Sequence, residues 1–420
     1  MKKKALLFCA LLLTSASLFA QQKRLWVLRA PGEMVEYDAA TFAVKQTVKV
    51  PAEALKSATS VDVNDAGQIL FMPLISLPLS DEDISSPHKL WLWDGRAATT
   101  VDLGVEHKSE KTGSNQAVTE IAPTVALSAD GTHLYWFANE PRRLQREDVD
   151  LSTITTWNAW RTDLTGANRE EIASTKFPDC RCKTGTCDET CPSAAIWIPD
   201  EGVDRFFLMT QFIAGQTGTV YKSSTRYDEQ GGKWTPTNLP DPVHHVLGGD
   251  LAGNGIIDAI PDTGCCGWAN QSNDQTVLIA GDKKIILFDE QEKYKNSDYD
   301  VSFFTANAHL SPNAERVAMT ITATSQANKP FQLSEQGQAN PEESQRIRKA
   351  LAELPAIVVK KIADPPKQVD FVPHASLVGW INDKEILIVE DHLLMLYNVE
   401  NGVRRKSPIR VEDALHAFLR

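Results

Sequence analysis

Long hydrophobic runs are nearly absent from this 420-residue chain. The one marked apolar run, Ala5 to Leu13, is shorter than the ~20 residues a membrane-spanning helix takes. No other segment is long and apolar enough. Positive charge is also in deficit, with 43 Lys and Arg against 55 Asp and Glu and a formal net charge of −12. That balance argues against nucleic acid, whose phosphates call for clustered Lys and Arg. It argues equally against anionic membrane surfaces. Hydrolase motifs are missing: there is no G-x-S-x-G, no H-E-x-x-H and no Gly-rich phosphate loop. Acids are so numerous that a carboxylate pair for glycoside hydrolysis is neither excluded nor located. Amphipathic helical stretches between strand-like segments are lacking too, which disfavours parallel α/β folds.

What is present begins with an N-terminal address. Lys2, Lys3 and Lys4 precede the apolar run, and Thr14 to Ala20 is richer in small residues. This is the layout of a secretory signal peptide over residues 1–20, with cleavage after Ala20 or, as the alternative, after Ser17. Losing the three lysines takes the net charge from −12 to −15. The expectation is an exported chain, periplasmic or secreted, whose mature part, 21–420, forms one domain.

A second pattern recurs along the chain: apolar stretch, tight turn of Asn, Asp, Pro or Gly, apolar stretch. The clearest copy is TVALSADGTHLYWF at 124–137, where Asp130-Gly131 supplies the positive φ a hairpin turn needs. Others lie at 60–71, 195–209, 308–321 and 378–389, with a weaker one at 268–280 turning at Asn273-Asp274. The anchors Asp65, Asp130, Asp200, Asp274, Asn313 and Asp383 are 65, 70, 74, 39 and 70 residues apart. The short gap suggests that the fourth anchor belongs instead to the loop from Asp250 to Asp258. A second strand pair often follows each copy, as in HKLWLWDGRAATTVDL at 88–103 and HLLMLYNVENGVRR at 392–405. One unit therefore reads as a four-stranded antiparallel sheet. Such a sheet cannot bury both faces alone, and radial packing of several sheets solves that. The expected fold is an all-β propeller of six blades, seven being the alternative. RLWVLRAPGEMVEYD at 24–38 reads as a further hairpin, so residues 24–50 are expected to pair with the last blade and close the ring. Residues 325–354 interrupt the pattern as a polar insertion. There Asn340 and Pro341 announce a short helix with Ile347, Leu351 and Leu354 on one face.

ALSADGTHLYWF and HLSPNAERVAM resemble the repeat of TolB-like, WD40-like propeller families, as does the terminal VGWINDKEILIVEDHLLMLYNVENG. The resemblance implies the fold and no particular activity.

Three constellations are candidates for chemistry. Cys180, Cys182, Cys187, Cys191, Cys265 and Cys266 remain once Cys9 leaves with the signal peptide. In an exported chain they read as structural disulfides ahead of zinc thiolates or a redox site. Adjacent Cys265 and Cys266 seldom bridge each other, so both are expected to pair back into the 180–191 segment, with the other two pairing locally. Each long bridge is worth up to about 4 kcal/mol in chain-entropy terms. Next, GDLAGNGIIDAIP at 249–261 resembles the calcium loop of FG-GAP and dockerin-type repeats. That resemblance implies Asp250, Asn254 and Asp258 as calcium ligands around Gly255. Ala252 departs from it, and the alternative is an Asn-Gly hairpin with solvated acids. Lastly, His245, His309 and His374 are 64 and 65 residues apart, close to the repeat length. Converging on a channel, they would suit a transition metal. Their differing distances from the turns favour three unrelated positions. Trp157, Trp160 and Trp234 lie near loops, where a sugar could stack on them.

The functional expectation is a binding or interaction module with a disulfide-ordered face. It would engage a protein, peptide or glycan outside the cytoplasm. The alternative is a propeller enzyme, a metal-assisted polysaccharide lyase or a glycoside hydrolase, working in the central cavity.

Overall fold

The computed structural model describes residues 23–29, 32–50, 52, 58–64, 67–73, 90–94, 97–103, 111–112, 115–116, 124–128, 130–139, 155–177, 193–197, 205–214, 219–239, 243–244, 246–249, 254–261, 273–289, 301–325, 341–410 and 414–419. The chain opens with β1 (Arg24–Arg29), β2 (Glu33–Asp38) and β3 (Val44–Lys49). Blade 1 follows as β4 (Ala58–Val63), β5 (Ile69–Pro73), β6 (Leu90–Trp93) and β7 (Ala98–Val101). A small ladder, β8 (Lys111–Thr112) with β9 (Asn115–Gln116), precedes blade 2. Blade 2 is β10 (Thr124–Leu127), β11 (His133–Asn139), β12 (Thr155–Asp163) and β13 (Glu170–Phe177). Blade 3 is β14 (Ser193–Trp197), β15 (Arg205–Ala214), β16 (Thr219–Glu229) and β17 (Trp234–Asn238). Blade 4 is β18 (Val246–Gly249), β19 (Gly255–Pro261), β20 (Asn273–Ala280) and β21 (Lys283–Asp289). Blade 5 is β22 (Val301–Leu310), β23 (Arg316–Ser325), β24 (Ala356–Lys361) and β25 (Lys367–Pro373), with helix α1 (Pro341–Ala352) between β23 and β24. Blade 6 is β26 (Ala375–Trp380), β27 (Glu385–Glu390), β28 (Leu393–Asn398) and β29 (Arg404–Arg410), and β30 (Ala414–Leu419) ends the chain.

Each blade is an antiparallel sheet in chain order, and a seventh combines both ends of the chain in the order β3-β2-β1-β30. Here β30 takes the inner position that the first strand holds elsewhere, pairing Leu25 with Leu419 and Val27 with Ala417. The burial of the strands follows from their radial position. Middle strands are covered on both faces by neighbouring blades and so read as continuous apolar runs, as in LLMLYN of β28 and AIVVKK of β24. Outer strands face solvent, as in VKQTVK of β3 and RRKSPIR of β29. Inner strands converge and carry small residues. A Cβ on Gly248 would lie 2.4 Å from the carbonyl oxygen of Ala308 in the next blade.

Among the described residues seven apolar clusters fill seven blade interfaces, one each, and this closes the ring. Alternation sends successive side chains of one strand to opposite neighbours. Leu25 and Val27 pack on Leu387 and Leu394 of blade 6, whereas Trp26 and Leu28 pack on Ile69 and Phe71 of blade 1. Phe206 and Leu208 face blade 2, and Phe207 and Met209 face blade 4. The remaining clusters join blades 1 and 2, 4 and 5, and 5 and 6.

The ring therefore has seven blades, not six. The repeat visible in the sequence is the turn between the first and second strands of a blade. In the closing blade those two strands are β30 and β1, at opposite ends of the chain, so no turn exists to be read. Residues 24–49 supply three strands of that seventh blade rather than an addition to the sixth. The proposed hairpin at 268–280 is also corrected: Asn273 and Asp274 lie inside the continuous strand β20. The fourth unit's first pair is β18 and β19, around the 250–254 loop.

The two ends of the ring differ. Turns between first and second strands, and between third and fourth, fall on one end and are short, as at 128–132, 230–233, 311–315 and 381–384. Their side chains close them: the Ser128 hydroxyl donates to Asp130 Oδ1 at 2.6 Å and accepts from the Thr132 amide at 3.1 Å. Ser311 repeats this with Asn313 at 2.7 Å and the Arg316 amide at 3.0 Å. The turns also bond to one another, Asn64 Nδ2 to the Ser128 carbonyl at 3.1 Å and the Asn313 amide to Asp383 at 2.9 Å. The connections on the opposite end join second to third strands and one blade to the next. Most are long, spanning 74–89, 102–123, 140–154, 178–192, 262–272, 290–300 and 326–355, whereas others such as 215–218, 374 and 391–392 are short.

Candidate functional site

The long-connection end contains a fixed histidine where blade 3 hands the chain to blade 4. The Val243 amide donates to Ser224 Oγ of β16 at 2.7 Å, and Ser224 Oγ donates back to the Val243 carbonyl at 3.2 Å. This anchors the chain just before β18. The next amide, of His244, donates to Asp258 Oδ1 at 2.7 Å, and His244 Nδ1 lies 2.8 Å from Asp258 Oδ2. Because a carboxylate only accepts, Nδ1 carries the hydrogen of that bond. Asp258 sits in β19 with no exposed surface, and the His244 side chain keeps 14% of its own. Beside them Thr276 donates to Thr305 at 2.7 Å, stitching β20 to β22 across the blade 4–blade 5 boundary. A histidine held at Nδ1 by a carboxylate presents Nε2 in a defined direction. This arrangement suits a proton acceptor or a single metal ligand.

Asp258 thus does not fit the calcium role. It lies inside a strand rather than in the loop, and both its oxygens already hold His244. Asn254 is on the tight-turn end, where its Oδ1 accepts from Arg205 at 3.3 Å. Asp250 lies outside the described residues.

The three histidines are not brought together either. His309 is the ninth residue of β22, at the tight-turn end, and its carbonyl accepts from Trp380 Nε1 at 2.8 Å. His374 precedes β26, at the long-connection end, with φ of 56° and its amide on the Glu353 carbonyl at 3.0 Å. Trp380 closes the strand that His374 opens, so the two histidines are about 20 Å apart along it. His245 lies outside the described residues, as do all six cysteines. Among the described residues no group of three or more His, Cys, Asp or Glu could hold a metal ion.

Trp160 and Trp234 are packing residues rather than sugar platforms. Trp160 stacks on Trp136 with centroids 5.8 Å apart, and the Arg169 guanidinium lies over both rings at 5.2 and 4.9 Å. Trp234 meets Phe206 and Tyr135 edge-on at 5.4 and 5.8 Å. The side chain of Trp157 is outside the described set. His244 was not visible as a candidate in the sequence, because nothing in it distinguishes His244 from its neighbour His245. Only the fold brings Asp258 to it.

No family model matches the chain, and no curated protein does. Solved structures similar to it include the β-propeller domain of the Trilobed protease from Pyrococcus furiosus, at 11% identity and a TM-score of 0.43, over 91% of this chain and 88% of that one. AztD from Citrobacter koseri matches at 10% identity and 0.43, over 95% and 98%. A polysaccharide lyase, the PL25 ulvan lyase, matches at 11% and 0.41, over 91% and 90%. At such identities and scores these likenesses decide nothing about chemistry. The propeller is established by the chain's own strand order. Among the described residues no helix is long and apolar enough to cross a membrane.

Proposed function

We propose that this chain is an exported β-propeller that binds a protein, peptide or glycan outside the cytoplasm through its long-connection end. The observation that carries this reading is the segregation of the connections. Tight, self-bonded turns occupy one end of the ring, and every long connection is attached at the other. Loops on a rigid scaffold are where recognition concentrates. The N-terminal signal-like segment supports export. The turn repeats support a place among TolB-like, WD40-like propellers.

The cysteines belong to the same reading. The 178–192 connection leads into β14 of blade 3, and 262–272 joins β19 to β20 of blade 4, so both attach at one end of adjacent blades. Disulfides from Cys265 and Cys266 to the 180–191 segment would order that face. Mass mapping without reductant tests this, and free thiols in the mature protein would contradict it. The function is tested by cross-linking capture from the exported fraction. A partner held by the wild type should be retained when the 230–233 turn is replaced with Gly-Ser. It should be lost when 178–192 and 262–272 are replaced. Retention after the second change contradicts the reading.

A second reading, a propeller enzyme such as a polysaccharide lyase or glycoside hydrolase, draws on His244. A carboxylate-oriented imidazole is the arrangement of a general base. Depolymerisation of an acidic polysaccharide that disappears in His244→Ala would favour it.

A further inference from the structure

The outer edge of blade 4 is formed by β21, KKIILFD, and pairs with no strand among the described residues. Such an edge is an open template for a further strand, and folded proteins blunt it with charge, proline or bulges. In this ring Pro236 and Pro408 interrupt β17 and β29, and β3 carries Lys45 and Lys49 without an acid. β21 has no proline, and its Ile286 is left 44% exposed.

The hairpin sets which backbone groups of β21 face outward. Ala280 pairs with Lys283 across the two-residue turn Gly281-Asp282, where Gly281 has φ of 61°. In such a hairpin the flanking pair exchanges both hydrogen bonds, so the amide and carbonyl of Lys283 point at β20. Alternation then turns those of Lys284 and Ile286 to the open side. Leu287 is the extra residue of a bulge, since Val277 pairs with Ile286 and Thr276 with Phe288. Its carbonyl accepts from Lys360 Nζ of blade 5. Ile286 is therefore two ladder steps from Lys284 and two from Asp289, and the three side chains share a face. Lys284 is exposed; Asp289 is partly buried, with Gln275 Nε2 donating to one of its oxygens at 3.0 Å. A carboxylate has acceptor sites for several donors.

Turned end for end, this strand matches itself. We infer that β21 pairs with β21 of a second copy of this chain, antiparallel about a two-fold axis at Ile286. The two Ile286 side chains meet on the axis, and Lys284 of each copy meets Asp289 of the other. Apolar and opposite-charge pairs facing each other across strands stabilise a ladder, and a self-complementary patch is what a two-fold interface takes. The paired edges run antiparallel, so the long-connection ends of the two rings face opposite ways.

The test is sedimentation equilibrium on the full chain from low micromolar to near-millimolar concentration. One edge strand per copy is a small interface, so a weak, reversible dimer is expected. Ile286→Lys puts two like charges on the axis and should weaken association about tenfold or more. Lys284→Glu, which would face Asp289, should weaken it similarly, and Lys284→Glu with Asp289→Lys should restore it. Val369→Lys, at a side chain 46% exposed on the outer strand of blade 5, should change nothing. Hydrogen exchange at the Ile286 amide should slow as concentration rises. A monomer at every concentration overturns the inference. So does association that Ile286→Lys leaves unweakened, or that Val369→Lys abolishes. A double reversal that keeps the wild-type urea midpoint yet fails to restore the dimer overturns it too.

Discussion

Replacing Asp258 by alanine removes both acceptors that hold His244. Asp258 has no exposed surface, and its two bonds to His244 are 2.7 and 2.8 Å long. Bonds to a carboxylate contribute ~1.5–3 kcal/mol each, and a buried donor left without a partner costs its desolvation as well. The backbone amide of His244 has no rotamer that would carry it to water. The expected loss is about 4 kcal/mol, a large part of the ~5–15 kcal/mol that holds a domain folded. Asp258→Asn should cost far less, about 1 kcal/mol. Its carbonyl oxygen can still accept from the His244 amide, and the imidazole can switch tautomer to accept from the new NH₂. His244→Ala keeps the backbone bond and removes the imidazole bond to the buried carboxylate, for about 2 kcal/mol. Urea unfolding followed by tryptophan fluorescence reads all three, with the denaturant slope held as the check on state. The double variant should cost less than the sum of the singles, since they share one interaction. A loss below ~1 kcal/mol for Asp258→Ala would refute the clamp. So would a calcium-induced rise in melting temperature that Asp258→Ala abolishes.

Three further outcomes follow from local geometry. Gly248→Ala places a methyl 2.4 Å from the Ala308 carbonyl and should force inner strands apart, costing about 1–3 kcal/mol in the same urea assay. His392→Gly should stabilise by about 0.5–1 kcal/mol, because Asp391 and His392 turn β27 into β28 with φ of 50° and 60°, where glycine is unstrained. Tyr397 is pushed up to about 12 by burial and by donating its hydroxyl to Asp370 at 2.7 Å. A raised pKa gives stability that is complete below the unfolded tyrosine value of ~10 and is lost as pH climbs through the folded one. Melting temperature should therefore fall between pH 10 and 12, and Tyr397→Phe should flatten that fall.

The blades were legible where two strands and their turn are contiguous. ALSADGTHLYWF names its own hairpin through Ser128, Asp130 and Gly131, and HLSPNAERVAM does so through Ser311 and Asn313. Blade 4 was read loosely, because its inner strand is the short, glycine-rich VLGG and its third strand carries Asn273 and Asp274, which mimic a turn. The seventh blade could not be counted, since ring closure joins residues nearly 400 positions apart and leaves no local signature. Candidate sites fared worse for a related reason. Regular spacing of His309 and His374 reflects repeat length, but their offset within the repeat puts His309 near the end of β22 and His374 just before β26, at opposite ends of the ring. His244 depends on Asp258 across a strand pair.

Ring closure carries the two-ended architecture, and hydrogen exchange measures it most directly. In the full chain the amides of Arg24–Arg29 should be protected as strongly as those of Glu385–Glu390, since β1 is flanked by β2 and by β30. A chain ending at Arg410 should lose that protection in Arg24–Arg29 and in the neighbouring inner strand Ala375–Trp380, while blade 3 stays unchanged. Protection of Arg24–Arg29 that survives the truncation would contradict a seven-bladed ring closed by its last strand.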